Sequence, residues 1–337
     1  MDIRKEIIEK LGVNESYFVN KLMDNKIGVI KLAFVREVIN PMVIRNNAAN
    51  EVNTFNAPDG RELVEIPARK LKSKEKRLGL MICRSKNVVD EGVRYNSIFD
   101  VKHLANPNSV LFGDSVTQSD GGALVSRVVY DWAYSLRDVD TQSETITKEL
   151  QHNSLSEDGT IIKDRDVTIK AKDKSGTKVA SQSLHSVKYV MPGTLFPHFV
   201  TIDNTTPELF IHLLYCILNE HKYGAQTTTM GSNMNNHLVG IAFSDFEKPI
   251  NSYTISKDWY AQENIKEEAE RQAATVENLT AFMKTEIIKH YKKDFNDNVE
   301  GVIDWLEQFW KEEKIQTVYT QAKKDAETYL DDLKMTK

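Results

Sequence analysis

The sequence predicts an α+β fold, and three observations predict it. A run rich in β-branched residues, Gly28 to Val38, suits a central strand. Between Leu195 and Phe243 a strand, a helix, a glycine turn and a second strand follow one another, which is half of a ferredoxin-like β-α-β-β-α-β unit. From Lys257 to the end, one glycine (Gly301) and no proline occur, although the chain has 15 glycines and 8 prolines. Glycine and proline punctuate turns, so their near absence argues for long helices. The composition shift near Ser256 divides a core of residues 1–256 from a helical C-terminal region, 257–337.

Each element has its own reason. After the first strand comes a polar, poorly periodic insertion, Asn40 to Pro67, within a broader insertion over about 40–80. Val125 to Leu136 reads as a second strand. Asp138 to Val190 is a second insertion, polar and charged, with turns at Ser156-Glu157-Asp158-Gly159 and Asp173-Lys174-Ser175-Gly176. Thr160 to Ile169 and Lys178 to Val190 can pair across the latter turn, as a projecting arm or as an edge hairpin. Leu195 to Ile202 and His237 to Phe243 are further strands. Between them Pro207 follows Thr205-Thr206 at a helix start, Leu209, Phe210, Leu213, Leu214, Ile217 and Leu218 make an apolar stripe, and Gly224 ends it. In the tail, Val276, Leu279, Met283 and Ile287 share a helical face. Val302, Leu306 and Phe309 share another, and Val318, Ala322, Ala326, Tyr329 and Leu333 a third. Breaks fall at Asn296-Asp297-Asn298 and Glu312-Glu313-Lys314.

The 337 residues are 40% hydrophobic and 28% charged, as in an ordinary folded protein. The longest apolar stretch, Leu209 to Leu218, is well short of the roughly 18 residues a membrane span needs, so no membrane partner is expected. The N-terminus mixes both charge signs and has no apolar signal core; with two cysteines, Cys83 and Cys216, the chain reads as cytosolic. The 44 Lys+Arg and 49 Asp+Glu leave a net charge of −5. The tail holds 13 cations and 18 anions, which leaves 31 of each in residues 1–256, so all of the acidic excess is in the tail.

Four stretches carry chemistry. Arg69, Lys70, Lys72, Lys74, Lys76 and Arg77 crowd six cations into nine residues, a solvated loop or a binder of phosphate backbone. Tyr223 to Asn236, with Gln226, Thr227, Thr228, Met230 and two glycines, allows close backbone approach and offers many hydrogen-bond donors, though it is no Walker loop. Leu111-Phe112-Gly113-Asp114-Ser115 and Gly121 to Arg127 are glycine turns in which Asp114 and Asp120 read as turn formers before catalysts. The Asp138–Val190 arm is the fourth. The histidines are scattered, with no His-Glu-x-x-His or Cys-x-x-Cys pattern; His212 and His221 read as edge residues of the 209–218 helix and Cys216 as a small buried thiol. No metal or other cofactor is implied.

Taken in order, these pieces resemble the repeat-associated RNA-binding (RAMP) superfamily of CRISPR antiviral systems, in particular the repeated backbone subunit of Cascade-type effector complexes in its type I-D form. The resemblance rests on Leu111-Phe112-Gly113 with Gly122-Ala123-Leu124-Val125-Ser126-Arg127-Val128, on Met191-Pro192-Gly193-Thr194-Leu195-Phe196, and on the helix followed by Tyr223-Gly224-Ala225 and Met230-Gly231. It covers about residues 25–250. It implies an RRM-like core with a thumb-like hairpin, no catalytic residues, and copies that polymerise along a guide RNA (crRNA). Its other partners would be a target DNA strand and further effector-complex subunits. Carried onto this chain, it places Arg36, Arg45, Arg127 and the Arg69–Arg77 cations along the RNA, Gln226 to Met230 against its backbone, and Thr141 to Val190 as an arm reaching a neighbouring copy. Two departures are the overall acidity and the helical tail, which lies outside the matched region. The alternatives are a metal-dependent nuclease of the same superfamily using Asp114 or Asp120, and an interaction module working through the tail.

Overall fold

A computed structural model describes residues 3–45, 51–117, 122–139, 147–153, 184–262 and 274–335. The chain opens with helix α1 (Ile3–Leu11) and enters β1 (Val29–Val38), the β-branched run. Short strands β2 (Thr54–Asn56) and β3 (Glu62–Ile66) lead into α2 (Ala68–Ser85). The six-cation run therefore lies on a helix and not in a loop, and the broad insertion ends at Pro67. Leu71, Glu75, Gly79, Ile82 and Cys83 form the buried stripe of α2. A carboxylate and a glycine stand where apolar residues would, which hides the helical period from the sequence.

Next come α3 (Pro107–Phe112), β4 (Asp114–Ser115), β5 (Ala123–Leu124), β6 (Val128–Tyr130) and β7 (Ala133–Asp138). The strand expected over 125–136 is broken, because the chain changes sheets at Asp131-Trp132: β7 pairs with β3, whereas β6 joins the main sheet. Strand β8 (Thr147–Asn153) pairs antiparallel with β9 (Leu184–Val190). The expected partner of β9, residues 160–169, lies outside the described residues; over its described length β9 pairs with 147–153.

Strand β10 (Leu195–Asp203), α4 (Pro207–Asn219), the short α5 (Thr227–Met230) and β11 (Met234–Ser244) follow the expected order. Thr206 caps α4 by accepting from the Leu209 N–H, with Pro207 in the first turn. Helix α6 (Ser252–Tyr260) runs across the boundary expected near Ser256, and the rest of the tail contributes α7 (Val276–Tyr291), β12 (Phe295–Asn296), α8 (Val299–Phe309) and α9 (Lys314–Asp332). The expected break at 296–298 separates α7 from α8, but Phe295 and Asn296 also extend the main sheet by pairing with Ala242 and Ile241.

The main sheet is antiparallel, in the order β12-β11-β1-β10-β6. With α2 between β1 and β6, and α4 between β10 and β11, its four long-range strands complete the β-α-β-β-α-β unit. Side chains alternate along β1. Ile30, Leu32, Phe34 and Val38 enter the core beneath α2 and α4, whereas Ala33 and Val35 enter a second core on the opposite face. There α6 and α7 close the sheet with Ile255, Trp259, Leu279, Met283 and Ile287 over Phe199, Val239 and Ala242. Each such large side chain contributes roughly 1.5–3 kcal/mol on burial. The face that a plain four-stranded unit of this kind leaves open is covered.

Helices α8 and α9 share the first core with α4 through Val302, Leu306, Phe309, Ile315, Val318 and Tyr319. Tyr215 Oη donates to Leu306 O at 2.8 Å. His212 is not an edge residue: it is fully buried, 3.2 Å from Tyr319 Oη and 3.3 Å from Asn108 Oδ1, and burial lowers its pKa to about 3. Cys216 and Cys83 are buried beside it. Among the described residues no helix is long and apolar enough to cross a membrane.

Candidate nucleic-acid interface

Under the first core face of the sheet lies a fully buried ionic knot. Arg36 points inward from β1. Its Nη1 donates to Glu75 Oε1 at 2.8 Å, Asn236 Oδ1 at 2.8 Å and Tyr223 Oη at 3.1 Å, and its Nε donates to His198 Nδ1 at 3.1 Å. Glu75 also accepts from Tyr223 Oη at 2.7 Å and from Tyr130 Oη. Burial is the largest influence and works against the Arg36 charge, but Glu75 together with the Tyr223 and Tyr130 hydroxyls outweighs it and holds the pKa above the usual arginine value. Burial, then Arg36, pushes the His198 pKa well down. His198 is therefore a neutral imidazole that accepts at Nδ1 and donates from Nε2 to Asp131 O at 3.0 Å.

This knot sets the rotation of α2 and so sorts its cations. Lys72 Nζ donates to Ser126 Oγ at 2.6 Å and Val128 O at 3.0 Å, and burial, helped by Lys76, lowers its pKa to about 8. Lys76 Nζ donates to Gly113 O at 2.9 Å and pairs with Asp114 at 3.0 Å. These two lysines hold the glycine turns around 113 and 126 onto the helix. Arg69 and Arg77 are exposed, and Lys70 and Lys74 partly so; burial lowers the Lys74 pKa.

A second surface lies beyond the end of β1. Met42 exchanges backbone hydrogen bonds with Val190, and Ala225 donates to Val43 O at 3.0 Å. The β1 exit is thus held between the root of the β8–β9 arm and the 223–231 loop. Gly224 makes this possible: its φ is +74°, and a Cβ there would stand 2.2 Å from Val43 O. Asn233 closes the loop, accepting from Tyr223 N and donating to Tyr223 O, both at 2.9 Å. Asn40 Nδ2 donates to Met230 O at 2.7 Å. Val43, Val187 and Tyr189 form a small core of their own, with Met191, Ala225 and Met230 packed on it.

Arg45 sits at this rim, partly exposed beside Tyr189, and its buried Nε has no hydrogen-bond partner among the described residues. Arg36 Nη2 and Arg127 Nε in the interior are unmet in the same way, so what sets Arg45 apart is its partial exposure at the rim, where a ligand oxygen can reach a guanidinium. Gln226, in the left-handed region at φ +56°, and Thr228 are exposed next to it, and Thr227 and Met230 are partly exposed.

The structure therefore divides the residues singled out in the sequence. Arg45 and Gln226 to Met230 come together at the rim, and Arg69 and Arg77 lie along the outer face of α2. Arg36 offers no atom to the surface. Arg127 is also withdrawn: it donates to Leu22 O at 2.9 Å and to Asn204 O and stacks on Tyr329. Asp114 is taken up by Lys76 and by Ser109 Oγ at 3.2 Å. Asp120 lies outside the described residues, and among those described no three His, Cys, Asp or Glu residues cluster as a metal site. Sequence reading missed Tyr189 and Asn233, whose roles depend on contacts across the fold; the only local signal was the glycine and asparagine content of the loop.

The family model described as Csc2 Crispr matches residues 29–325. A crystal structure of Thermofilum pendens Csc2 is similar in fold, with a TM-score of 0.51 at 15% identity, covering 90% of this chain and 98% of that one. A chain of a CRISPR RNA-guided surveillance complex aligns at 11% identity with a TM-score of 0.48, covering 79% of this chain and 86% of its own. No curated protein matches. The family match spans most of the chain, which belongs to the Csc2 Crispr family.

Proposed function

We propose that this member of the Csc2 Crispr family is a non-catalytic backbone subunit of a type I-D CRISPR effector complex. In this reading it binds guide RNA through the ribose-phosphate backbone, lines up in copies along it, and leaves the bases free to pair with target DNA. The partly exposed Arg45 guanidinium, beside an exposed polar turn and the root of the β8–β9 arm, carries the reading. The closed sheet supports it as well. With α6 and α7 over the second face, base stacking on the sheet is blocked, and what remains for a strand is the rim and the outer face of α2. Contacts of that kind hold a nucleic acid without reading its sequence, and base pairing supplies specificity.

RNA affinity measured across a salt series tests this. Retention should be indifferent to sequence and fall steeply with salt. Arg45→Ala should weaken it roughly tenfold and make the log–log salt slope shallower by about 0.7, the share of one phosphate contact on a single strand. A protein that ignores RNA at about 50 mM salt, where counterion release favours binding, ends the proposal.

A further inference from the structure

The crossing from β6 to β7 opens a groove of about 480 Å³, within the range of small-ligand sites. Three elements and the crossing itself build it: Phe55 of β2, Asp131 and Trp132 of the crossing, Tyr134 of β7, and Asn251 and Tyr253 at the start of α6. Phe55, Tyr134 and Tyr253 pack on one another with ring centroids 5.2–5.8 Å apart, and each keeps part of its surface open. Trp132 is 47% exposed.

Asp131 is the charged residue of this lining. Its Oδ2 accepts from the Ser252 N–H at 3.3 Å, which leaves Oδ1 with no hydrogen-bond partner among the described residues. Burial, the largest influence, lifts its pKa to about 6, so it is a carboxylate at neutral pH. Lys31 acts on it from the core, but Lys31 is already held by Glu247 at 2.9 Å and by Ile250 O at 3.1 Å. Glu247 and, beside Tyr134, Glu65 add negative charge to the flanks. Elsewhere the chain covers its aromatic faces with its own cations: Lys86 stands 4.0 Å from the Trp310 ring centre and Arg61 4.0 Å from that of Tyr260. Among the described residues, no lysine or arginine stands over Phe55, Trp132, Tyr134 or Tyr253.

Aromatic faces around a carboxylate attract an organic cation and repel a phosphate chain. The single open oxygen selects the head group. A guanidinium is matched by two carboxylate oxygens in parallel, whereas an ammonium is a point charge that one oxygen satisfies. We propose that this groove binds the ammonium group of a small free aliphatic amine, its methylenes against the aromatic rings and its nitrogen on Asp131 Oδ1. The site is separate from the RNA rim and does not depend on the RNA reading.

Calorimetry with 1,4-diaminobutane and the full-length protein free of RNA tests it, with the Trp132 indole N–H signal in NMR as the local readout. Wild type should bind with a Kd of about 1 mM and shift that signal saturably. Asp131→Asn should weaken binding about tenfold and Trp132→Ala about fivefold, whereas Trp132→Phe, which keeps a ring, should stay within about threefold. Trp132 is exposed, so its variants decide the matter if Asp131→Asn lowers the melting temperature. 1,4-Butanediol, the same chain without charge, should leave the indole signal where it is. Equal binding of the diol, full affinity in both Asp131→Asn and Trp132→Ala, or no saturable shift in wild type overturns the proposal. Tighter binding of Nα-acetyl-lysinamide than of the diamine also overturns it, and would hand the groove to a lysine of a partner protein. So does a loss of RNA affinity in Trp132→Ala, which would make the groove a nucleotide-stacking site.

Discussion

Arg36 and Arg45 lie nine residues apart, one near the end of β1 and the other just past it, with identical head groups. Arg36 is sealed in the core and engaged by Glu75, Tyr223, Asn236 and His198. Each has one donor without a partner among the described residues, but only Arg45 reaches the rim and is partly exposed. The same division runs through α2, where Lys72 and Lys76 anchor glycine turns while Arg69 and Arg77 face solvent. A crowd of cations is therefore not yet an interface. The phase of the element that carries them decides which ones build the protein and which can meet a polyanion.

The strongest way to break this contrast is Arg36→Ala. It leaves Glu75 as a buried carboxylate without its cation, and should cost about 3–5 kcal/mol in denaturant-measured stability. RNA affinity per folded molecule should be unchanged; a loss of binding with stability intact would return Arg36 to the interface. Next in size is the outward set. Replacing Arg45, Arg69 and Arg77 together by alanine should lower RNA affinity about a hundredfold and flatten the salt slope by about 2, with the melting temperature nearly unchanged. Gly224→Ala sharpens the role of the rim. A positive φ and a Cβ 2.2 Å from Val43 O should cost about 1–3 kcal/mol and weaken RNA binding by detaching the loop from the β1 exit.

The smallest effect concerns Lys72. Its folded-state pKa, about 8, is below the ordinary 10.5, so the unfolded chain holds more protons between those values. Stability should rise with pH from about 8 to about 10.5, and Lys72→Met should remove that rise in denaturation curves taken across the window. A Lys72→Met protein that keeps the full rise would show that the lysine is not desolvated.

Much of the fold was legible along the chain. Strands β1, β10 and β11, helix α4 and the tail helices all announce themselves by β-branched content, capping residues or apolar period. Helix α2 did not, because Glu75 and Gly79 occupy its buried stripe. Glu75 is there to meet Arg36. Gly79 is there because a Cβ would stand 2.2 Å from Asn108 Oδ1 of α3 and 2.8 Å from Cys216 Sγ of α4, where α2 presses on both. The sheet change at Asp131-Trp132 was equally hidden, since it is made by pairing with β3 and β10 far along the chain.

By itself the sequence determined strands β1, β10 and β11, helix α4 and the tail helices, the glycine-dependent turns and the charge inventory, because these depend on neighbours a few residues apart. Only the tertiary structure decided which arginines and lysines face outward and that both sides of the sheet are closed. The physical reason is that burial is set by partners such as Glu75 for Arg36 and α7 for β11, which no local period encodes.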